Sequence, residues 1–516
     1  MPISQTDQLF QLIKSLTKSE KRNFTLYARR IQSSDRSKFI RLFELLDKQK
    51  ELDEKNLLSK LKGVDKSQFS NLKRHLYKQI LVSLRLIHIH KDRGVVIREH
   101  IDFASVLYGK GLHVQSLKIL DRAKKMAEKN GFEMLTLEIL EHQKMIESKH
   151  ITRSGIIKND ALVEETKNKI KQVSNTILLS NLRHKLHGLY LKNGHVRNEK
   201  DVKVIQRIFK EEMPFYEHDE LGFFAKISLY QSHVWNFYIQ LDFDHCSQYA
   251  LKWVDLFKSS PNLIDWDHDL FMRGYHYLLT SAYNIRDINT FNKYLAELES
   301  YRKSNYSKFN TNSKIISFLY VHSSRLNKHF LLGTFDEGVK ILKRTTRRIS
   351  LYRSKLDAHR ILVFYFKISW MYFCNGQPDI SIDYLNKIIN LKAQNLREDI
   401  QGYSYLLLAM AHFELGNFTI MDYLVRNAKN YYQKMKQVNL VQTYALDFFR
   451  TISTSPIEEH KNALEILKRK LEKLKDNRFE RRAFLYLDIY SWTISKIEKK
   501  PMSQVIQAMN KKAKSL

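Results

Sequence analysis

The acidic stretch "DWDHDLFMRGYH" sets Asp265, Asp267 and Asp269 at the alternate positions of a calcium-binding loop. Such a loop needs glycine at its sixth position for a sharp turn and glutamate at its twelfth for two-oxygen coordination. Those positions hold Leu270 and His276, so calcium chemistry is not expected. His88 and His90 are two apart and point to different sides of a helix, while His184 and His187 could share a face but lack a third ligand. Gly109 and Gly111 form a lone GxG between helices, and there is neither a GxxxxGK[ST] phosphate loop nor a GxSxG elbow. Glu211 and Glu212 sit in a polar stretch without a base or metal partner. Cys246 and Cys374 are far apart with no CxxC, which fits a reducing compartment. No catalytic residue, metal or cofactor is expected.

Two basic stretches carry residues suited to nucleic acid. In "LLSKLKGVDKSQFSNLKRHL" (Leu57–Leu76), Ser59, Gly63 and Phe69 have the spacing of a helix-turn-helix skeleton. Its second helix would present Gln68, Asn71, Lys73 and Arg74 to a major groove, where amides pair with adenine and arginine with guanine. Asp65 at its start suits the helix dipole but repels phosphate. The other reading of this stretch is two helices capping a longer helical stack. In "KILKRTTRRISLYRSK" (Lys340–Lys355), Lys340, Arg344, Arg347 and Arg348 share one helix face that could meet phosphates, an acidic partner or only solvent.

These residues sit in a chain of 516 residues with 43% hydrophobic content, enough to bury a large interior but too long for one compact core. Glycine (15) and proline (6) are too scarce for the turns of a β-rich protein, so an all-α fold is expected. The net charge of +32 is uneven, since residues 201–300 hold 9 basic against 15 acidic side chains between two basic flanks. The start "MPISQTDQLFQLIKSL" lacks the pattern of a signal peptide, and the most apolar run, Ile361–Phe373, is too short for a bilayer. A cytoplasmic protein without membrane contact is expected.

Helical periodicity runs almost end to end. Leu9, Leu12, Ile13 and Leu16 form one stripe, and Thr17 with Glu20 forms a capping box that opens the next helix. Ser455-Pro456-Ile457-Glu458 reads as another, with proline at the first helical position. The expected organisation is an N-terminal helical domain over 1–92, helical hairpins over 93–455 and closing helices over 456–516. Within the hairpins a layout recurs at Ala104, Gly111, Leu120 and Ala123; at Ser369, Gly376, Leu385 and Ile388; and at Ala409, Gly416, Val425 and Ala428. Further turns fall near Leu241, Arg286 and Gly333, the first two without glycine.

This layout resembles the tetratricopeptide repeat family, in which a small residue, a turn glycine, a large residue and a second small residue link two helices. The spacing of 40–47 residues between turns from Leu241 to Gly416 exceeds the family's repeat of about 34. The resemblance implies an α-solenoid whose first helices line a groove. It carries Gln231, Trp235 and Tyr238; Arg273, His276 and Tyr283; Phe366, Trp370 and Phe373; and Leu406 and Met410 onto that groove. The alternative is that these rings are packed between repeats. A non-catalytic scaffold for a protein or peptide partner is expected. The other readings are a ligand-responsive DNA-binding regulator, whose domain order resembles bacterial peptide-sensing regulators, and RNA binding along the basic repeats.

Overall fold

The computed structural model describes residues 5–31, 38–61, 63–88, 92–150, 155–391, 398–435 and 438–514. The fold is all-α, and no strand occurs among the described residues. Nor is any helix among them long and apolar enough to cross a membrane. The chain divides into two compact units, residues 1–171 and 172–516.

The first unit begins with α1 (Gln5–Ser15), α2 (Lys18–Ile31), α3 (Lys38–Lys48), α4 (Glu54–Lys60) and α5 (Lys66–His88). The capping box at the start of α2 forms, with Glu20 Oε2 accepting from Thr17 N at 2.7 Å and Glu20 N donating to Thr17 Oγ1 at 3.2 Å. Leu9, Ile13, Phe24, Leu42, Leu46, Leu57, Leu76 and Ile80 make one core. A separate core joins α6 (Arg93–Gly109), α7 (His113–Lys129) and α8 (Glu133–Lys149) through Ile97, Leu120, Ala123 and Ile139. The 39-residue α9 (Gly155–Asn193) contains the boundary between the units.

The second unit continues with α10 (Glu199–Glu212), α11 (Phe223–Ile239), α12 (Phe243–Lys258) and α13 (Pro261–Ile264). Three antiparallel pairs follow: α14 (His268–Asn284) with α15 (Ile288–Asn305), α16 (Thr311–Leu332) with α17 (Phe335–Tyr352), and α18 (Ala358–Cys374) with α19 (Pro378–Ile389). Next come α20 (Glu398–Glu414), α21 (Met421–Lys434), α22 (Leu440–Thr454) and α23 (His460–Glu472). The last helices are α24 (Arg481–Tyr486), α25 (Ile489–Ile497) and α26 (Met502–Lys514).

One backbone device joins the hairpins. Each first helix ends on a residue in the left-handed region, and the next N–H reaches back five residues to a carbonyl of the final turn. This bond runs from Leu112 N to Leu107 O, Asp242 N to Phe237 O, Asp287 N to Ala282 O, Gln377 N to Tyr372 O and Asn417 N to His412 O, each at 2.9 Å. Glycine holds the left-handed position at 376 and 416, whereas Leu241 and Arg286 adopt it with φ of 62° and 59°. Relative to each turn, the residues seven before, nine after and twelve after meet across the hairpin. In the six hairpins turning at 111, 241, 286, 333, 376 and 416, though not in the one turning at 131, these positions are at most 5% exposed. Each pair thus buries its seam against itself and its neighbours, as stacked helical repeats do.

The expected capping box at Ser455–Glu458 does not form. Pro456 lies in an extended conformation with ψ of 153°, a 3-10 turn over Ile457–Glu459 follows, and α23 starts at His460.

The turn device recurs at Lys499 after α25, where Lys500 N donates to Ser495 O at 3.0 Å and an exposed lysine sits at φ 54°. A Cβ added at Gly416 would meet nothing within 4 Å, so alanine there would be penalised by backbone conformation alone. Denaturant unfolding should therefore show Gly416→Ala losing about 1 kcal/mol and Lys499→Gly gaining about 0.5–1 kcal/mol. If neither variant moves the transition, these turns do not govern the local energetics.

Candidate binding face

In the second unit α14, α16, α18 and α20 pack side by side, so residues recurring every three or four positions build one shared face. Of the residues expected to line it, Trp235, Tyr238, Arg273, His276 and Tyr283 are half-buried. Gln231, Phe366, Trp370, Phe373, Leu406 and Met410 are buried, none more than 6% exposed. In this conformation those six side chains offer a partner no free surface.

The chain's own C-terminal helices account for part of that burial. Phe484 and Ile506 close against Trp370, Cys374 and Tyr283, leaving a gap of about 20 Å³, room for about one water. Trp492 is 1% exposed among Phe413, Phe448 and Phe449, and its indole N–H donates to Glu414 Oε1 at 2.6 Å. Lys496 pairs with the other oxygen of Glu414 at 2.6 Å. Asn510 and Gln507 donate to Leu331 O at 2.7 Å and Gly333 O at 3.2 Å, and Arg286 pairs with Asp488 at 3.6 Å. These bonds satisfy carbonyls at the C-terminal end of α16, which the helix ladder leaves open, and engage the Glu414 side chain at the end of α20 and Arg286 just after α14.

Toward the middle of the first helices the face is polar and positively charged. Arg183 of α9 donates from Nη1 to Gln231 Oε1 at 3.0 Å and from Nη2 to His184 Nε2 at 3.1 Å. Arg273 hydrogen-bonds to Tyr320, whose ring stacks on His276 with centroids 4.5 Å apart. Trp235 lies between His187 at 4.7 Å and Tyr277 at 5.6 Å. Lys367 donates to Ser323 Oγ at 2.6 Å and Asn327 Oδ1 at 2.7 Å. Burial, and then the charge of Arg273, pulls the Arg183 guanidinium below its ordinary range. Burial, then Lys367, Arg273 and Arg360, holds His276 down at about 3, so it is neutral at pH 7.

Among the described residues neither Arg183 nor Arg273 has a carboxylate within 4 Å, and Asp267 acts on Arg273 only at longer range. Arg183 Nε and Gln231 Nε2 are buried donors without an acceptor. Like charges and spare donors held together away from water are unfavourable unless an acceptor completes them. The arrangement suits an anionic group arriving from outside, held by planar guanidinium forks. Periodicity singled out Gln231 and Arg273 but missed Arg183, which lies on a helix outside the repeat pattern.

The remaining candidates are dispersed. Gln68, Asn71 and Arg74 are exposed on α5, while Lys73 turns back to Glu54 at 3.0 Å and over the Phe69 ring at 4.6 Å. Arg344 and Arg347 are exposed on α17, whereas Arg348 donates to the hydroxyls of Tyr306 at 3.2 Å and Tyr352 at 3.3 Å. The three aspartates of the calcium-like stretch have separate tasks. Asp265 pairs with Lys308, Asp267 caps α14 by accepting from Leu270 N, and Asp269 accepts from Asn312. His184 is exposed and His187 half-buried against Trp235, while His90 falls outside the described residues.

No protein-family model, curated protein or solved structure matches the chain.

The depressed histidines make stability depend on pH. Burial, and then the arginines at 325, 302, 344 and 348, holds His322 at about 3, as burial and neighbouring cations hold His276. Both groups take up protons more readily when unfolded, so their contribution is intact above about pH 6.5 and is lost as the pH falls toward 3. Unfolding midpoints measured from pH 7.5 to 4.5 should decline below pH 6.5. The variant carrying His276→Gln and His322→Asn should decline less, and an equally steep decline would assign the effect to other groups.

Proposed function

We propose that this chain is a non-catalytic scaffold of tetratricopeptide-like hairpins that binds an extended, acidic stretch of a protein partner on the uncovered part of the face. The observation carrying the reading is the half-buried pair Arg183 and Arg273, gathered near each other without a carboxylate within 4 Å among the described residues. An aspartate or glutamate of the partner would accept from the guanidinium forks, and an apolar neighbour would lie against Trp235 and Tyr277. Aromatic and arginine side chains are the groups that most often dominate such interfaces. The positive field would speed encounter and make affinity fall with salt.

A random-peptide display selection tests this with the full chain as bait. Selected peptides should be enriched in aspartate and glutamate, and the double variant Arg183→Glu, Arg273→Glu should lose that enrichment while keeping its helicity. Trp370→Ala, at a covered position, should lower thermal stability without changing the selected sequences. Enrichment without acidic bias, or unchanged by charge reversal, would sink the proposal.

A second reading, DNA binding by α5, is favoured by the exposure of Gln68, Asn71 and Arg74 on one helix and weakened by the engagement of Lys73 with Glu54. Its check is Arg74→Glu with Asn71→Ala in a duplex-binding assay across a salt series. Binding that is absent, or indifferent to these changes, removes it.

A further inference from the structure

A hollow in the second unit lies where the stretch after α23 passes the turns that follow α11 and α14. It measures about 420 Å³, within the range of small-molecule sites. Leu241, Phe243 and Leu485 supply its apolar wall, and Asn284 contributes an amide. The Nδ2 of Asn284 already donates to Thr280 O at 2.6 Å, leaving its carbonyl oxygen to accept.

The opposite wall is charged, with Lys475, Arg478 and Arg481 facing a single carboxylate, Asp476. Arg478 is fixed by two N–H groups on Gln240 O, at 3.0 and 2.5 Å, so its guanidinium is held in place before any ligand arrives. Lys475 is held with its ammonium 3.4 Å from the centre of the Tyr490 ring. Arg481 is exposed, and its side chain has no partner among the described residues. Glu472 and Asp488 also act on Lys475 from beside the hollow, which leaves Arg478 and Arg481 as the cations placed to meet an anionic group such as a phosphate.

We propose that this hollow binds a small phosphate monoester with a flat or apolar body of nucleoside-monophosphate size. The phosphate would lie between Arg478 and Arg481, the body against Phe243, Leu241 and Leu485, and an N–H or O–H of the body on Asn284 Oδ1. The walls come from two stretches more than 190 residues apart in the chain, Asn284 and Lys475 among them, so the site is complete only while the C-terminal stretch is seated. Ligand bound there holds that stretch against the hairpins by mass action. This site is separate from the Arg183 and Arg273 face and does not rest on the reading given to it.

The test is calorimetric titration of the full chain with adenosine monophosphate and, separately, with inorganic phosphate, alongside hydrogen exchange of peptides from 473–514. Saturable binding of the nucleotide, tighter than inorganic phosphate, should slow exchange in those peptides. Arg481→Gln should weaken binding roughly tenfold or more and abolish that protection without changing helicity. The remote exposed variant Arg347→Gln should bind as the parent does. Failure of the nucleotide to saturate, equal binding of inorganic phosphate, or unaltered binding by Arg481→Gln would each overturn the proposal.

Discussion

The left-handed turn between paired helices is the constraint on which the second unit depends. A single backbone conformation, closed by one hydrogen bond back to the final turn, sets where the second helix starts and therefore which residues meet across the seam. The energetic consequence is visible at Leu241 and Arg286, which occupy a region that disfavours side chains with a Cβ. Their strain persists because the seams on either side, Val234 with Ala250 and Trp253, and Leu279 with Leu295 and Leu298, are closely buried. Packing sets the turn at these positions, where intrinsic preference would not.

Much of this was legible in the sequence. Spacing located the turns at Leu241 and Arg286 without a glycine to mark them, because buried positions recur at fixed offsets whatever residue occupies the turn. The Thr17 and Glu20 cap was also legible, since both bonds are local. The fate of Trp370 was not. Periodicity placed it on the face of the first helices, but it does not encode that residues 484 and 506 return to cover that face. Local reasoning failed in the same way at Arg348, whose partners Tyr306 and Tyr352 were invisible in a helix-face count. At Ser455 it failed for a different reason, an extended proline that moves the start of the helix downstream.

Charge is divided according to the same architecture. Apolar surface near the C-terminal ends of the first helices is covered within the chain, while cations gather toward their middles. There burial pulls His276 and His187 toward the neutral form, so arginine and lysine dominate the positive charge. An arginine pair without a carboxylate is a weak device for holding a fold together and a strong one for recognising an anion. That contrast separates the uncovered part of the face from the covered part, which is held by paired charges at Glu414 and Asp488.

The cover over the hairpins also has a place in time. Trp492 lies 78 residues after Glu414, the carboxylate that receives it, so the ribosome must finish nearly two further hairpins' length of chain before that bond can close. Until then the apolar sides of Trp370, Phe413 and their neighbours face water on a nascent polypeptide. The hairpins can form one after another as they emerge, each from contacts close in sequence, but the last surface closes only through distant ones. During synthesis, therefore, the exposed intermediate is a stack of finished repeats awaiting its own tail, a species on which a chaperone would find a continuous apolar strip.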